Sequence, residues 1–149
     1  MVIAVDFDGT IVQHQYPEIG EERPFACEVL KMLMRDRHKL ILWTVREGEL
    51  LDAALNWCRE RGVEFYAVNS DSSSLFQEAK NENFSCKLNA DVFIDDCNIG
   101  GLPTWPEIYT MISEGVSYER IMRRKVRDEL VPPTPPYPKW MFWKHNKKD

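Results

Sequence analysis

The stretch Val2-Ile3-Ala4-Val5-Asp6-Phe7-Asp8-Gly9-Thr10 decides the fold, because a short apolar run leads directly into a polar turn. Four consecutive apolar residues are typical of a strand that is buried on both faces of a parallel sheet. Gly9 allows a sharp turn where that strand ends, so the carboxylates of Asp6 and Asp8 can approach one reacting centre. The chain therefore opens with a buried strand that ends in two acidic side chains.

Outward from this stretch, strand-like apolar segments alternate with helical patterns. Further strands are predicted at 39–44, 64–68 and 90–94, and helices from Pro24, over 49–61, over 104–113 and after Ser117. Residues 69–86 read as irregular, with one short helix near 75–80. The alternation predicts a three-layer α/β/α sandwich, a Rossmann-like core with a mostly parallel sheet of four or five strands.

Length and charge divide the chain in two. We expect one catalytic domain over 1–130 and a Pro-rich, aromatic and basic tail over 131–149, which carries four lysines and one aspartate. The tail is therefore +3 and the first 130 residues are −8, which together give the net charge of −5. An acidic domain argues against general coating of nucleic acid. No apolar run approaches the roughly 18 residues that span a bilayer, and no signal peptide is recognisable. We expect a cytoplasmic protein without a membrane segment, whose four cysteines are reduced thiols.

Acidic side chains follow two predicted strands at the point where each strand ends. In an open parallel sheet the carboxyl ends of the strands form the ligand-binding edge. Carboxylates that converge there repel one another unless a cation lies among them. Carboxylate oxygens together with water and substrate phosphate are ligands that suit Mg²⁺. The predicted magnesium ligands are Asp6, Asp8, Asp95 and Asp96.

The order of these motifs resembles the haloacid dehalogenase (HAD) superfamily of phosphohydrolases. Asp6-Phe7-Asp8-Gly9-Thr10 is similar to its first motif, and Thr44, a lysine and the pair Asp95-Asp96 follow in the family's order. The resemblance implies that Asp6 is a nucleophile that forms an aspartyl-phosphate. It also implies that Asp8 is the general acid and base, with its backbone carbonyl on the metal, and that Thr44 binds the transferring phosphoryl group.

The lysine of this pattern has two candidates. Lys87, just before the fourth predicted strand, is assigned to neutralise the phosphoryl group, and Lys80 on the predicted short helix is the alternative. Within the first motif, Gly9 and Thr10 are expected to bind substrate.

Several features bear on the substrate. The excursion over residues 11–23 is too short for a folded cap domain, which implies a capless enzyme with an open site. Thr44-Val45-Arg46-Glu47 resembles the second motif of polynucleotide-kinase-type 3′-phosphatases, so Arg46 is a candidate phosphate clamp. The other interpretation is that Arg46 pairs with Glu47, Glu49 or a loop carboxylate. We expect a phosphorylated small molecule or a phosphorylated nucleic-acid end as substrate.

The tail leaves two interpretations open. Trp140-Met141-Phe142-Trp143 lies between lysines, a composition that can stack single-stranded bases. The same cluster could instead pack against the domain or against a second copy of the chain. The main prediction is a Mg²⁺-dependent phosphomonoesterase, and the alternative from another class is a non-catalytic, metal-binding regulatory module.

Overall fold

A computed structural model describes residues 1–70 and 87–130 of the chain, with side chains as far as Arg127. It contains four strands and four helices in these ranges: β1 (Val2–Val5), α1 (Ala26–Arg35), β2 (Lys39–Leu42), α2 (Gly48–Glu60), β3 (Ala67–Val68), β4 (Val92–Ile94), α3 (Trp105–Glu114) and α4 (Tyr118–Leu130). None of these helices is long and apolar enough to cross a membrane.

The four strands form one sheet in the order β3-β2-β1-β4, and every pairing is parallel. The chain moves from β1 outward to β2 and β3, then returns to add β4 on the other side of β1. Strand order therefore reverses between β1 and β4. In open α/β sheets such a reversal opens a crevice beyond the carboxyl ends of the two strands, where ligands bind.

Strand β1 is buried on both faces: its successive side chains point in opposite directions, and Ile3, Ala4 and Val5 are all buried. Ile3 and Val5 join the main apolar core, which includes buried residues from α1, α2 and α3. Ala4 lies on the other face with Ile41 and Leu88. This two-sided burial explains why β1 consists of four apolar residues without alternation.

The predicted α/β sandwich is confirmed, with a parallel sheet flanked by helices. The second, third and fourth strands are shorter than predicted, but each lies within its predicted range. Helix α2 ends before Gly62, whose φ of +76° suits a glycine after a helix end. The helix predicted near 75–80 and the tail from 131 onward lie outside the described residues.

Residues 11–23 form a short flap beside the carboxyl end of β1. The Gln13 N–H donates to the Glu21 carbonyl at 2.8 Å, and the Arg23 N–H donates to the Ile11 carbonyl at 2.8 Å. These antiparallel contacts return the chain to the sheet before α1. The flap is an extension of the core without a hydrophobic centre of its own, as its length predicts.

Candidate active site

Asp6 lies one residue beyond β1, at the switch point of the sheet, where the strand order reverses between β1 and β4. Its N–H donates to the Ile94 carbonyl at the end of β4, with a distance of 2.9 Å. Asp95 and Asp96 follow that carbonyl in the chain. The carboxyl ends of the two neighbouring strands therefore bring Asp6 and the acidic pair to one edge, as the sequence predicts.

Thr10 joins the two strand ends through its side chain. The side chain is fully buried; its hydroxyl oxygen accepts the Asp96 N–H at 3.0 Å and its hydroxyl hydrogen-bonds the Asp6 carboxylate. The Thr10 carbonyl accepts the indole N–H of Trp105 at 3.2 Å, which fixes the turn to α3. The Thr10 hydroxyl therefore uses its donor and its acceptor within the protein. Thr10 holds the two strand ends together and is not directed at substrate.

Gly9 is required where the turn meets the acidic pair. Its φ is +93°, a conformation that side chains disfavour, and a Cβ here would collide with the Asp96 carboxylate. The Gly9 N–H donates to the Val12 carbonyl at 2.9 Å. This N–H is therefore not directed at a substrate, which differs from the predicted substrate-binding role of Gly9. The role of Gly9 is to let Asp96 lie directly against the turn.

Burial and neighbouring negative charges both act on the Asp6 carboxylate at this edge. The pKa of Asp6 is raised to about 6, mainly by burial and also by the charges of Asp95 and Asp96, while hydrogen bonds from Thr10 and from the Phe7 backbone oppose the rise. A bound cation would favour the charged form of Asp6 and so offset the effects of burial and of repulsion on its pKa.

The donor set fits a hard cation. Carboxylate oxygens of Asp95 and Asp96 can lie within 4.8 Å of each other and of the Cys97 sulfur. The charges of Asp96 and Asp95 raise the pKa of Cys97, which keeps the thiol protonated and makes it a poor ligand. Oxygen ligands therefore remain, and these suit Mg²⁺. Asp6, Asp95 and Asp96 are the residues that would hold it.

The Asp8 carboxylate forms a buried ion pair with Arg46. Its two oxygens accept Nε and Nη2 of Arg46, each at 2.7 Å. The side chain of Arg46 is fully buried and that of Asp8 is 6% exposed. Bidentate pairs of this kind are strong and geometrically specific. In this structure the Asp8 carboxylate is the partner of Arg46. The predicted roles of Asp8 as general acid and base, and as a metal ligand through its backbone carbonyl, stay predictions.

Arg46 also fastens the flap to the sheet. It donates to the Pro17 carbonyl at 2.9 Å and to the Glu18 carbonyl at 2.8 Å. Its guanidinium lies 5.1 Å from the ring centre of Phe7 and 5.3 Å from that of Tyr16. These internal contacts do not support the predicted phosphate clamp. Its acidic partner is Asp8 and not Glu47 or Glu49.

Thr44 lies beyond β2, at the same edge as Asp6. It is almost fully buried, and its hydroxyl oxygen accepts the Arg46 N–H at 3.2 Å. Asn69, just beyond β3, holds the Thr44 backbone by two bonds: Oδ1 accepts the Thr44 N–H and Nδ2 donates to the Thr44 carbonyl, each at 2.8 Å. The structure thus places Thr44 at the predicted edge and adds a positioning residue.

The assignment of a lysine that neutralises the phosphoryl group stays a prediction. Lys87 is exposed and follows directly after residues 71–86, while its neighbour Leu88 packs on the sheet with Ala4 and Ile41. The alternative, Lys80, lies outside the described residues.

Sequence reasoning missed two contacts that shape this site. One is the Asp8–Arg46 pair, which joins residues 38 apart in the chain. The other is Asn69, which stands at a strand end in the left-handed region with a φ of 50°. An Asn directly after an apolar strand was the available indication, since Asn tolerates this conformation and bonds nearby backbone.

No protein-family model matches this chain, and no curated protein matches it. A solved structure does: that of a conserved protein coded by a locus of Bacteroides thetaiotaomicron. The two chains are 59% identical, and the match covers 81% of this chain and 96% of the other, with a TM-score of 0.74.

Proposed function

This chain belongs to the same family as the conserved Bacteroides thetaiotaomicron protein, and we propose that it is a Mg²⁺-dependent phosphohydrolase that cleaves phosphomonoesters through Asp6. The observation that carries the proposal is the meeting of Asp6 with Asp95 and Asp96 at the switch point of the sheet. The resemblance of residues 6–10 to the first motif of HAD phosphohydrolases supports the same reaction.

The proposed reaction has two displacements at phosphorus. A carboxylate oxygen of Asp6 attacks phosphorus, the bond between phosphorus and the ester oxygen breaks, and an aspartyl-phosphate forms. Water then attacks that phosphorus, Asp8 is proposed to take up the proton that the water loses, and the bond between phosphorus and Asp6 breaks. This step releases inorganic phosphate and restores the Asp6 carboxylate. Bound Mg²⁺ would supply charge stabilisation for the phosphoryl oxygens. The Thr44 hydroxyl, at the same edge, is proposed to hydrogen-bond one of them.

The leaving oxygen needs a proton, and Asp8 is proposed to give it. The hydroxyl oxygen of a protonated Asp8 is a weaker acceptor than a carboxylate oxygen, so the pair with Arg46, with its two 2.7 Å bonds, has to weaken during turnover. This requirement favours a second candidate function, a non-catalytic metal-binding module in which the Asp8–Arg46 ion pair stays intact. Hydrolysis by the intact protein distinguishes the two candidates.

The test is hydrolysis of p-nitrophenyl phosphate with Mg²⁺ and with EDTA. We expect Mg²⁺-dependent release of nitrophenol, and a loss of roughly 10³-fold or more in Asp6→Asn because the nucleophile is removed. The matched control is Asp52→Asn, which makes the same change at an exposed position of α2 and should retain activity. Full activity in Asp6→Asn would refute the nucleophile. A wild type that binds Mg²⁺ without hydrolysing a broad phosphoester panel would favour the second candidate.

The substrate is proposed to be a phosphorylated small molecule or the phosphorylated end of a nucleic acid, met in the cytoplasm. The flap is too short to enclose the edge, so selection falls to surfaces beside it. Contact between two copies through the tail stays a prediction, because residues 131–149 lie outside the described residues.

A further inference from the structure

The flap presents one aromatic ring beside the proposed active site. Tyr16 is 48% exposed, although its ring lies over the guanidinium of the fully buried Arg46, with 5.3 Å between the ring centre and Cζ. The same guanidinium lies 5.1 Å from the ring centre of Phe7, which is fully buried. Of these three side chains only Tyr16 reaches solvent, so its ring is the outermost member of the cluster.

The flap holds the Tyr16 ring in place. Arg46 donates to the carbonyls of Pro17 and Glu18, which follow Tyr16 in the chain, at 2.9 and 2.8 Å. The contact between a guanidinium and an aromatic ring is itself attractive. A ring that is positioned in advance loses little conformational entropy when a ligand packs against it. Tyr16 is therefore suited to bind a second planar group on its exposed side.

The Asp8 carboxylate and the Tyr16 ring contact the same side chain. Asp8 accepts Nε and Nη2 of Arg46, each at 2.7 Å, so the carboxylate and the ring both lie against one guanidinium. In the proposed reaction Asp8 gives a proton to the leaving oxygen. The group attached to that oxygen therefore departs on the side of the site that the flap borders.

We propose that Tyr16 selects substrates by stacking on a planar aromatic group of the alcohol that the reaction releases. This inference rests on the proposed function, and it narrows the substrates to phosphomonoesters of aryl, arylmethyl or nucleoside alcohols. Two aromatic groups attract each other in offset and edge-to-face arrangements, an interaction that a saturated ring lacks. A protein partner fits less well, because an interface needs about 800 Å² on each side and the exposed flap residues before Tyr16 are polar: Gln13, His14 and Gln15.

Two substrates that differ in aromaticity test the stacking: benzyl phosphate and cyclohexylmethyl phosphate. Both release a primary alcohol, and the saturated ring is no less apolar, so hydrophobic burial alone predicts no preference for benzyl phosphate. We expect kcat/KM of the wild type with Mg²⁺ to be at least about fivefold higher for benzyl phosphate, the lower end of what one stacked base contributes. Tyr16→Leu should abolish this preference, and Tyr16→Phe should keep it.

The matched control is Tyr66→Leu. Tyr66 is 47% exposed and also lies over a cation, with 4.6 Å between its ring centre and Lys39 Nζ. It precedes β3 in the parallel sheet and so lies toward the opposite edge from Asp6, which means that its replacement should leave the benzyl preference unchanged. An unchanged preference in Tyr16→Leu would overturn the proposal. An equal fall for both substrates would overturn it in favour of a merely structural role in the flap.

Binding without hydrolysis separates this proposal from the proposed function. Calorimetry with Mg²⁺ compares 2-phenylethylphosphonate with 2-cyclohexylethylphosphonate, in which a methylene group replaces the ester oxygen. A preference for the aromatic phosphonate that Tyr16→Leu removes would support the stacking even if no phosphoester is hydrolysed. Equal binding of the two phosphonates by the wild type would refute the stacking, whether or not phosphoesters are hydrolysed.

The source of the aromatic group is tested with adenosine 5′-monophosphate and ribose 5-phosphate, which differ by the base. A preference for the nucleotide that depends on Tyr16 supports a nucleoside as the released alcohol. A preference that depends on Tyr16 but is confined to benzyl phosphate supports a simpler aromatic alcohol. Thermal unfolding of the Tyr16 and Tyr66 variants shows that each is folded.

Discussion

Arg46 is a single residue that contacts both the Asp8 carboxylate and the flap. It is fully buried, and such a charge is tolerated in a protein only when it is paired and hydrogen-bonded. Asp8 supplies the pairing, and the carbonyls of Pro17 and Glu18 supply further acceptors. The same side chain therefore orients Asp8 and anchors the flap, so a change at Arg46 affects both.

Arg46→Gln is expected to lower the free energy of unfolding by about 3–5 kcal/mol, because it leaves the Asp8 carboxylate buried without a cation. Chemical denaturation measures this loss. The double variant Asp8→Asn, Arg46→Gln removes both charges and should recover part of the stability. Wild-type stability in Arg46→Gln alone would contradict a buried ion pair at this position.

At the scale of elements, the short segments that follow the strands build the site. Thr44 follows β2 and Asn69 follows β3, and the two hydrogen bonds between them join neighbouring strand ends beyond the last ladder contacts. Asn69 is thus a positioning residue: it fixes the backbone from which the Thr44 hydroxyl projects.

Asn69→Gly tests this role without backbone strain, because glycine accepts the φ of 50° at this position. Two hydrogen bonds of about 1 kcal/mol each are lost, so we expect kcat for p-nitrophenyl phosphate to fall about tenfold while KM changes little. Asn69→Asp is the companion variant, since it keeps the acceptor for the Thr44 N–H and loses the donor. If Asn69→Gly lowers stability but leaves kcat unchanged, Asn69 is merely structural.

The elements differ in how well the sequence predicts them. β1 and the capping box of α3 follow local rules: the Thr104 N–H and hydroxyl both donate to Glu107 Oε2, at 2.9 and 2.7 Å, as the Thr-x-x-Glu spacing predicts. The partner of Arg46 could not be predicted in this way. Residues 8 and 46 come together only through sheet packing, and several acidic residues closer in sequence were equally plausible partners.

At the scale of the whole molecule, the edge that carries Asp6, Asp95 and Asp96 makes the stability of the protein depend on pH. The pKa of Asp6 is about 6 in the folded protein against 3.8 for an ordinary aspartate. The folded state therefore binds this proton more tightly than the unfolded state does. The contribution to stability is present below about pH 4 and is lost as the pH rises through about 6.

We therefore expect metal-free protein in EDTA to lose stability between about pH 4 and about pH 7 through this group. Excess Mg²⁺ should raise the unfolding temperature near neutral pH, because it binds the folded state, and should flatten this loss. Thermal unfolding across this range measures both effects. Asp6→Asn is the control for other titrating groups, and the difference between wild type and control isolates Asp6. An identical pH profile in the two proteins would contradict the raised pKa.

The strand order carries one more consequence, for the time course of synthesis. The hydrogen bond between Thr10 and the Asp96 N–H joins residues 86 apart, and among the described strands β4 is the last to be made, although it lies beside β1. Contacts of such long range are slow to close. A growing polypeptide on the ribosome therefore carries Asp6 without the acidic pair until residues 95 and 96 have been made. The edge that Asp6, Asp95 and Asp96 share is completed only then.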